Sequence, residues 1–151
     1  MSRLTVEQFK SLLESSILVY DGAMGTNLIA QQLKSDNYGG KDGCSEALNL
    51  FCPESVAKVH KSFLDAGCDV IETNTFGGTR ITLKEYGLED KVAEINKKAV
   101  AIAKKAIEEA GSGKPRYIAG SIGPTSQLPS LGNIEFDDMA AAYSEQFEAL
   151  W

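Results

Sequence analysis

The chain has 151 residues, 43% hydrophobic and 24% charged, which is the size and balance of one ordinary globular domain and not of a disordered segment. Lys and Arg number 15 against 21 Asp and Glu, a formal net charge of -6, and no basic run or aromatic-interleaved basic stripe occurs, so no nucleic-acid partner is expected. No stretch approaches the ~20 apolar residues of a membrane span and residues 1–10 lack an apolar leader core, so neither a membrane partner nor export is expected and the reading is cytoplasmic.

Thr5 and Gln8 have the spacing of a capping box, and Phe9, Leu12 and Leu13 fall on one face, predicting a short first helix that plugs the bottom of a sheet. The apolar residues 17–20 then read as a buried strand ending in Asp-Gly-Ala-Met-Gly-Thr at 21–26. Glycine at 22 and 25 would let a ligand approach main-chain N–H groups, with the charge of Asp21 beside them. The same six residues suit an ordinary turn with a capping aspartate equally well.

Residues up to Lys34 suit a helix, and the turn-rich residues 35–43 suit an exposed loop. Pro53, in a first-turn position, and Glu54 open a second helix with Val56, Val59, Phe63 and Leu64 on one stripe, ended by Gly67. Residues 68–76 form a second strand closed by Gly77 and Gly78. A helix over 79–86 stops at Gly87, and a longer one over 89–110 carries Val92, Ile95, Ala99, Ile102, Ala103 and Ile107 on one face. Its other face, with Lys97, Lys98, Lys104 and Lys105, reads as solvated surface. A third strand, 117–121, runs into the turn Ile-Gly-Pro-Thr at 122–125. Asp137 can cap a last helix with Met139, Tyr143, Phe147 and Leu150 on one face, which reaches Trp151 without a stop signal and so reads as cut.

Alternating strands and helices without a hairpin signal predict the α/β class, with the three polar turns on one side of a parallel sheet. Residues 22–27 do not match G-x-G-x-x-G, and no G-K-[ST] follows, so a nucleotide fold is weakly supported against a (β/α)8 barrel. Such a barrel takes ~250 residues, and three strands would be less than half of one.

Four motifs occur together: Asp-Gly-Ala-Met-Gly-Thr at 21–26, Glu-Ala-Leu-Asn-Leu at 46–50, Ala-Gly-Cys-Asp-Val-Ile-Glu-Thr-Asn-Thr-Phe at 66–76 and Gly-Ser-Ile-Gly-Pro-Thr at 120–125. Over nearly the whole chain, in order and spacing, they resemble the homocysteine S-methyltransferase domain found at the N-terminus of cobalamin-dependent methionine synthases. The resemblance implies a (β/α)8 TIM barrel, of which residues 1–151 would be the N-terminal portion, the first three or so βα units. It implies an enzyme that binds homocysteine, ionises its thiol on zinc and attacks a methyl donor, methylcobalamin in this branch, to form methionine. The chemistry is consistent, because zinc lowers a thiol pKa and the thiolate is the nucleophile. The implied partners are homocysteine and the cobalamin- and folate-binding modules of a full-length protein.

By the same resemblance, Asp21, Gly22, Ala23 and Met24 hold the amino-acid end of homocysteine, with its carboxylate on backbone N–H groups and its ammonium near Asp21. Thr73, Asn74, Thr75 and Phe76 line the pocket, residues 123–125 form its rim, and Glu72 faces either the pocket or the barrel interior. The family's zinc is held by three cysteines of the later barrel, two of them in a Gly-Gly-Cys-Cys-Gly stretch that does not occur here. Cys44, Cys52 and Cys68 lack C-x-x-C spacing and do not match those ligands; they read as reduced thiols, with Cys68 a packing residue. His60 reads as a surface or packing residue. No metal ligand and no catalytic residue is therefore expected within 1–151, and the chain alone should be inactive. Its open sheet edges should favour self-association. A betaine- or S-methylmethionine-type donor and a non-catalytic small-molecule binding module are the alternatives.

Overall fold

A computed structural model describes residues 3–111 and 113–151. Thr5 caps helix α1 (Val6–Ser15) through the expected box: its hydroxyl accepts from the Gln8 N–H at 3.2 Å, and Gln8 Oε1 accepts from the Thr5 N–H at 2.8 Å. Contrary to expectation, α1 buries none of its residues. The sheet of the described residues has two strands, too narrow to present a bottom that a helix could plug.

The sheet holds two parallel strands, β1 (Val70–Glu72) and β2 (Tyr117–Ala119), with Val70 opposite Tyr117 and Glu72 opposite Ala119. The expected first strand shrinks to a single parallel bridge between Tyr20 and Val70 on the other side of β1. Hydrogen bonds from the Asp69 and Asp21 N–H groups, to Val19 O at 2.7 Å and Val70 O at 2.9 Å, hold it there. It is also not buried, since Ile17 is 91% exposed and Val19 and Tyr20 lie at the surface. The α/β class and the sequential parallel order stand; three strands do not.

The helices follow their local signals. After α2 (Met24–Ile29), residues 35–43 contain a 3-10 turn, Ser35–Tyr38, and stay largely at the surface. A second 3-10 turn, Ser45–Ala47, leads into the short α3 (Leu48–Phe51). Pro53 opens α4 (Pro53–Ala66) and Gly67 closes it in the left-handed region at φ 99°, where a side chain would be strained. Val56, Val59 and Leu64 are buried as the stripe predicts. Thr79 caps α5 (Arg80–Lys84), and α6 (Val92–Ala110) buries Val92, Ile95, Ala99, Ala103 and Ile107 while its lysines stay exposed.

The last helix, α7 (Phe136–Leu150), corrects two expectations. Its N-cap is Glu135, which places Asp137 inside the first turn, where its charge still suits the helix dipole. Its buried residues are Ala142, Gln146 and Ala149, whereas Phe147 is 56% exposed. Small side chains let α7 lie close on α6, and Gln146 finds buried polar partners there that an apolar stripe would not reveal. The core falls into three buried clusters: Leu64, Cys68, Ile71, Ala103, Ala106 and Ile107 between α4, β1 and α6; Leu28, Leu48, Cys52, Val56 and Val59; and Cys44, Ala47, Leu83, Leu88, Val92 and Ile95.

Candidate functional site

Beyond Glu72 the chain leaves the sheet, the Thr73 N–H making one last bond to Ala119 O at 2.9 Å. The strand end faces the 21–26 turn across a cleft of about 320 Å³. Its walls are Gly22, Ala23, Met24 and Gly25 on one side and residues 72–76 on the other, with Ser45, Glu46 and Ser121 completing it. Seven of the eight expected residues thus meet in one cleft. The eighth, Asp21, stands behind it.

Asp21 joins the two walls. Its N–H donates to Val70 O at 2.9 Å and its Oδ2 accepts from the Glu72 N–H at 3.0 Å. Burial pushes its carboxyl up to about 6, the Glu72 N–H opposing the shift and the Glu72 charge adding to it. Glu72 faces the cleft, its Oε2 accepting from Ser121 Oγ at 3.2 Å.

Thr73 and Thr75 line the cleft with hydroxyls already committed elsewhere. Thr75 donates to Ser121 O at 2.7 Å, so in the 2.6 Å contact between the two hydroxyls Thr73 is the donor; Thr73 Oγ1 in turn accepts from the Ser121 N–H at 3.0 Å. The Asn74 amide donates to Ser45 O at 2.7 Å and to Asn49 Oδ1 at 3.2 Å. These three side chains build the wall, whereas Phe76, 60% exposed, presents an apolar surface to a ligand. Residues 123–125 do not line the cleft. Gly123 backs Phe76 instead, where an added Cβ would come within 2.6 Å of the ring.

The lining contains two carboxylates, Glu46 and Glu72, and no Lys, Arg or His. Among the described residues, neither they nor Asp21 has a cationic partner. The N–H groups of Gly22, Ala23 and Met24 make no hydrogen bond with described residues, so they remain free to donate. A ligand carrying an ammonium and a carboxylate together matches such a cleft; a lone anion does not.

Among the described residues, no group of three His, Cys, Asp or Glu is placed to hold a metal. The cysteines are all buried and lie in three different clusters. Burial and the charge of Glu46 push the Cys44 thiol up to about 11, and burial also raises Cys52 and Cys68, so none is poised as a thiolate. These residues do not fit zinc. His60, buried in α4, faces no hydrogen-bond partner among the described residues at either ring nitrogen.

The sequence model of homocysteine S-methyltransferases matches residues 18–151. The chain belongs to the homocysteine S-methyltransferase family. Methionine synthase of Mycobacterium tuberculosis is 39% identical over 135 residues, which are 89% of this chain and 11% of that protein. Methionine synthase of Mycobacterium leprae is 37% identical over 134 residues, 88% of this chain and again 11% of that protein. The chain therefore spans about a tenth of the curated relatives it matches. Among solved structures, the homocysteine methyltransferase MmuM of Escherichia coli superposes with a TM-score of 0.73 in both its metallated and oxidized forms, at 24% and 26% identity. The match covers 94% of this chain and 52% of MmuM, so the fold of this family member is that of about half an MmuM chain.

Both walls of the cleft, Gly25 included, carry residues the sequence pointed to; Ser45, Glu46 and Ser121 as lining, and Asn49, Asn96 and Gln146 behind residues 73–78, carried no such indication except at Asn96. Asn96 offered a signal, being a polar residue on the apolar stripe between Val92 and Ala99.

Proposed function

We propose that residues 1–151 are the N-terminal portion of a (β/α)8 barrel that binds homocysteine and, in the full-length protein, methylates its sulfur to give methionine. The observation that carries this reading is the meeting of the 22–24 turn and residues 73–76 in one cleft of a family member. The free N–H groups of Gly22, Ala23 and Met24 suit the substrate's carboxylate, and the negative charge of Asp21 and Glu72 suits its ammonium. Phe76 suits the side-chain methylenes.

Activation of the sulfur falls outside these residues, because their thiols do not fit zinc. The zinc ligands, and a methylcobalamin donor with its cobalamin- and folate-binding modules, would lie in other parts of a cytoplasmic full-length protein. The methionine synthase relatives favour this reading over a betaine- or S-methylmethionine-type donor. No described helix is long and apolar enough to cross a membrane. The exposed edge at residues 17–20 is the surface through which an isolated chain would self-associate.

Calorimetry of homocysteine with the full-length protein tests the reading, with Asp21→Asn as control. The carboxyl of Asp21 is ionised above about 6 and loses its charge as pH falls through that value. Relative to Asp21→Asn, affinity should then weaken by up to about tenfold per pH unit below it. Absence of homocysteine binding near neutral pH would refute the substrate. A wild-type profile parallel to that of Asp21→Asn would refute the role of Asp21.

A further inference from the structure

Residues 73–78 are held by four buried side chains from outside the segment. Asn49, from α3, donates its Nδ2 to Asn74 O at 2.8 Å. Gln146, from α7, donates its Nε2 to Thr75 O at 2.7 Å and to Asn96 Oδ1 at 3.2 Å. Glu46, from the turn before α3, accepts the Gly77 N–H on Oε1 at 2.6 Å. Asn96, from α6, donates its Nδ2 to Gly78 O at 2.9 Å and to Val92 O at 2.8 Å. Asn49, Asn96 and Gln146 are at most 1% exposed.

The two glycines fit this clamp because there is no room for a side chain. A Cβ on Gly78 would lie 2.7 Å from both Asn96 Oδ1 and Gln146 Nε2 and 2.9 Å from Thr75 O; one on Gly77 would lie 3.1 Å from Glu46 Oε1. β1 is three residues long, so the sheet ladder does not hold the segment beyond Thr73. Beyond it, one backbone bond from outside the segment, from the Gly123 N–H to Phe76 O at 2.8 Å, and side chains from three helices and a turn set its shape, and four of its residues line the cleft.

We propose that Glu46, Asn49, Asn96 and Gln146 are positioning residues that fix the 73–78 backbone in its cleft-lining shape and so set the affinity for the amino-acid substrate, an inference that rests on the cleft being that substrate's site. Asn49, Asn96 and Gln146 do not line the cleft, so they act only through the segment they hold. The bonds these four side chains make select one arrangement of the segment, although Gln146 Oε1 finds no partner among the described residues, and loss of one member frees the groups it holds.

The test is made on the full-length zinc-loaded protein with Gln146→Met and Asn49→Leu, both near in volume to the native residues. Each should raise KM for homocysteine about tenfold or more while leaving kcat within about threefold, the signature of lost binding common to ground and transition states. Hydrogen exchange of the 73–78 amides should speed up about tenfold in each variant while the helices keep their protection. Folded variants with unchanged KM would overturn the proposal, as would raised KM with unchanged exchange in 73–78. If the wild-type rate shows no dependence on homocysteine, the substrate reading fails, and exchange alone still decides the clamp. Should Gln146→Met not fold, Asn49→Leu carries the same two readouts.

Discussion

His60 makes acid the sharpest probe of this fold. The ring is fully buried in α4 and neither nitrogen has a partner among the described residues, so burial holds its pKa down at about 4, against an ordinary 6.5. Above pH 6.5 the imidazole is neutral in both folded and unfolded chains and exerts no pH dependence. Between 6.5 and about 4 the unfolded chain binds a proton that the folded chain refuses, so stability falls with pH; below about 4 the loss is complete. One unit is worth about 1.4 kcal/mol, so the full loss is about 3 kcal/mol, of which about 2 is reached by pH 5. That is a large part of a typical 5–15 kcal/mol.

Asp21 works in the opposite sense. Its raised pKa means that the folded chain takes up a proton more readily than the unfolded one as pH falls from about 6, which offsets part of the loss. Comparison with His60→Leu separates the two, because Asp21 contributes equally to both proteins. Urea unfolding at pH 7.5, 6 and 5 should show the variant gaining about 2 kcal/mol on wild type between the first and last pH. At pH 7.5 the variant should be no less stable, since each orphaned buried polar atom it removes costs about 1–3 kcal/mol. A wild-type-minus-variant difference that stays constant with pH would refute the reasoning.

Two further outcomes are expected. Gly78→Ala should cost about 1–3 kcal/mol by overpacking against Asn96 and Gln146, whereas Gly25→Ala, with nothing within 4 Å of its Cβ, should be neutral or gain up to about 1 kcal/mol from helix propensity; paired thermal melts check both, and equal midpoints would contradict the contact geometry. Cys44, Cys52 and Cys68 should resist alkylation at pH 8 until the chain unfolds, because all three are buried with raised pKa values; labelling of Cys44 at the rate of a free thiol would be the contrary result.

What the sequence made legible was local. The Thr5 box, Pro53, Gly67 and the stripes of α4 and α6 act within a few residues of themselves, and each fell where its signal put it. Strand extent is not local: residues 17–20 have the composition of a strand, yet only Tyr20 pairs, because pairing needs a neighbour as well as a propensity. The walls of the cleft were legible through the resemblance carried by residues 21–26 and 66–76, since their turn chemistry alone suited an ordinary turn equally well. Asn49 and Gln146 were not, since, without the flanking apolar stripe that marks Asn96, their burial depends on the backbone each meets, which lies 25 and 71 residues away in the chain. Phe147 and Gln146 show the point, the apolar residue lying outside and its polar neighbour inside.

The position of Gln146 also bears on where this site is vulnerable. A cleft wall held by a long ladder would be insulated from the helices around it. Here the ladder ends at Thr73, and Asn74 O, Thr75 O and Gly78 O are tied to α3, α7 and α6, with Phe76 O held by the Gly123 N–H and the Gly77 N–H by Glu46. A change in how α7 seats on α6 therefore reaches Thr75 O directly through one amide group. Substitutions on the buried face of α7, at Ala142 or Ala149, should act on the cleft in proportion to how far they shift Gln146, although neither residue lines it.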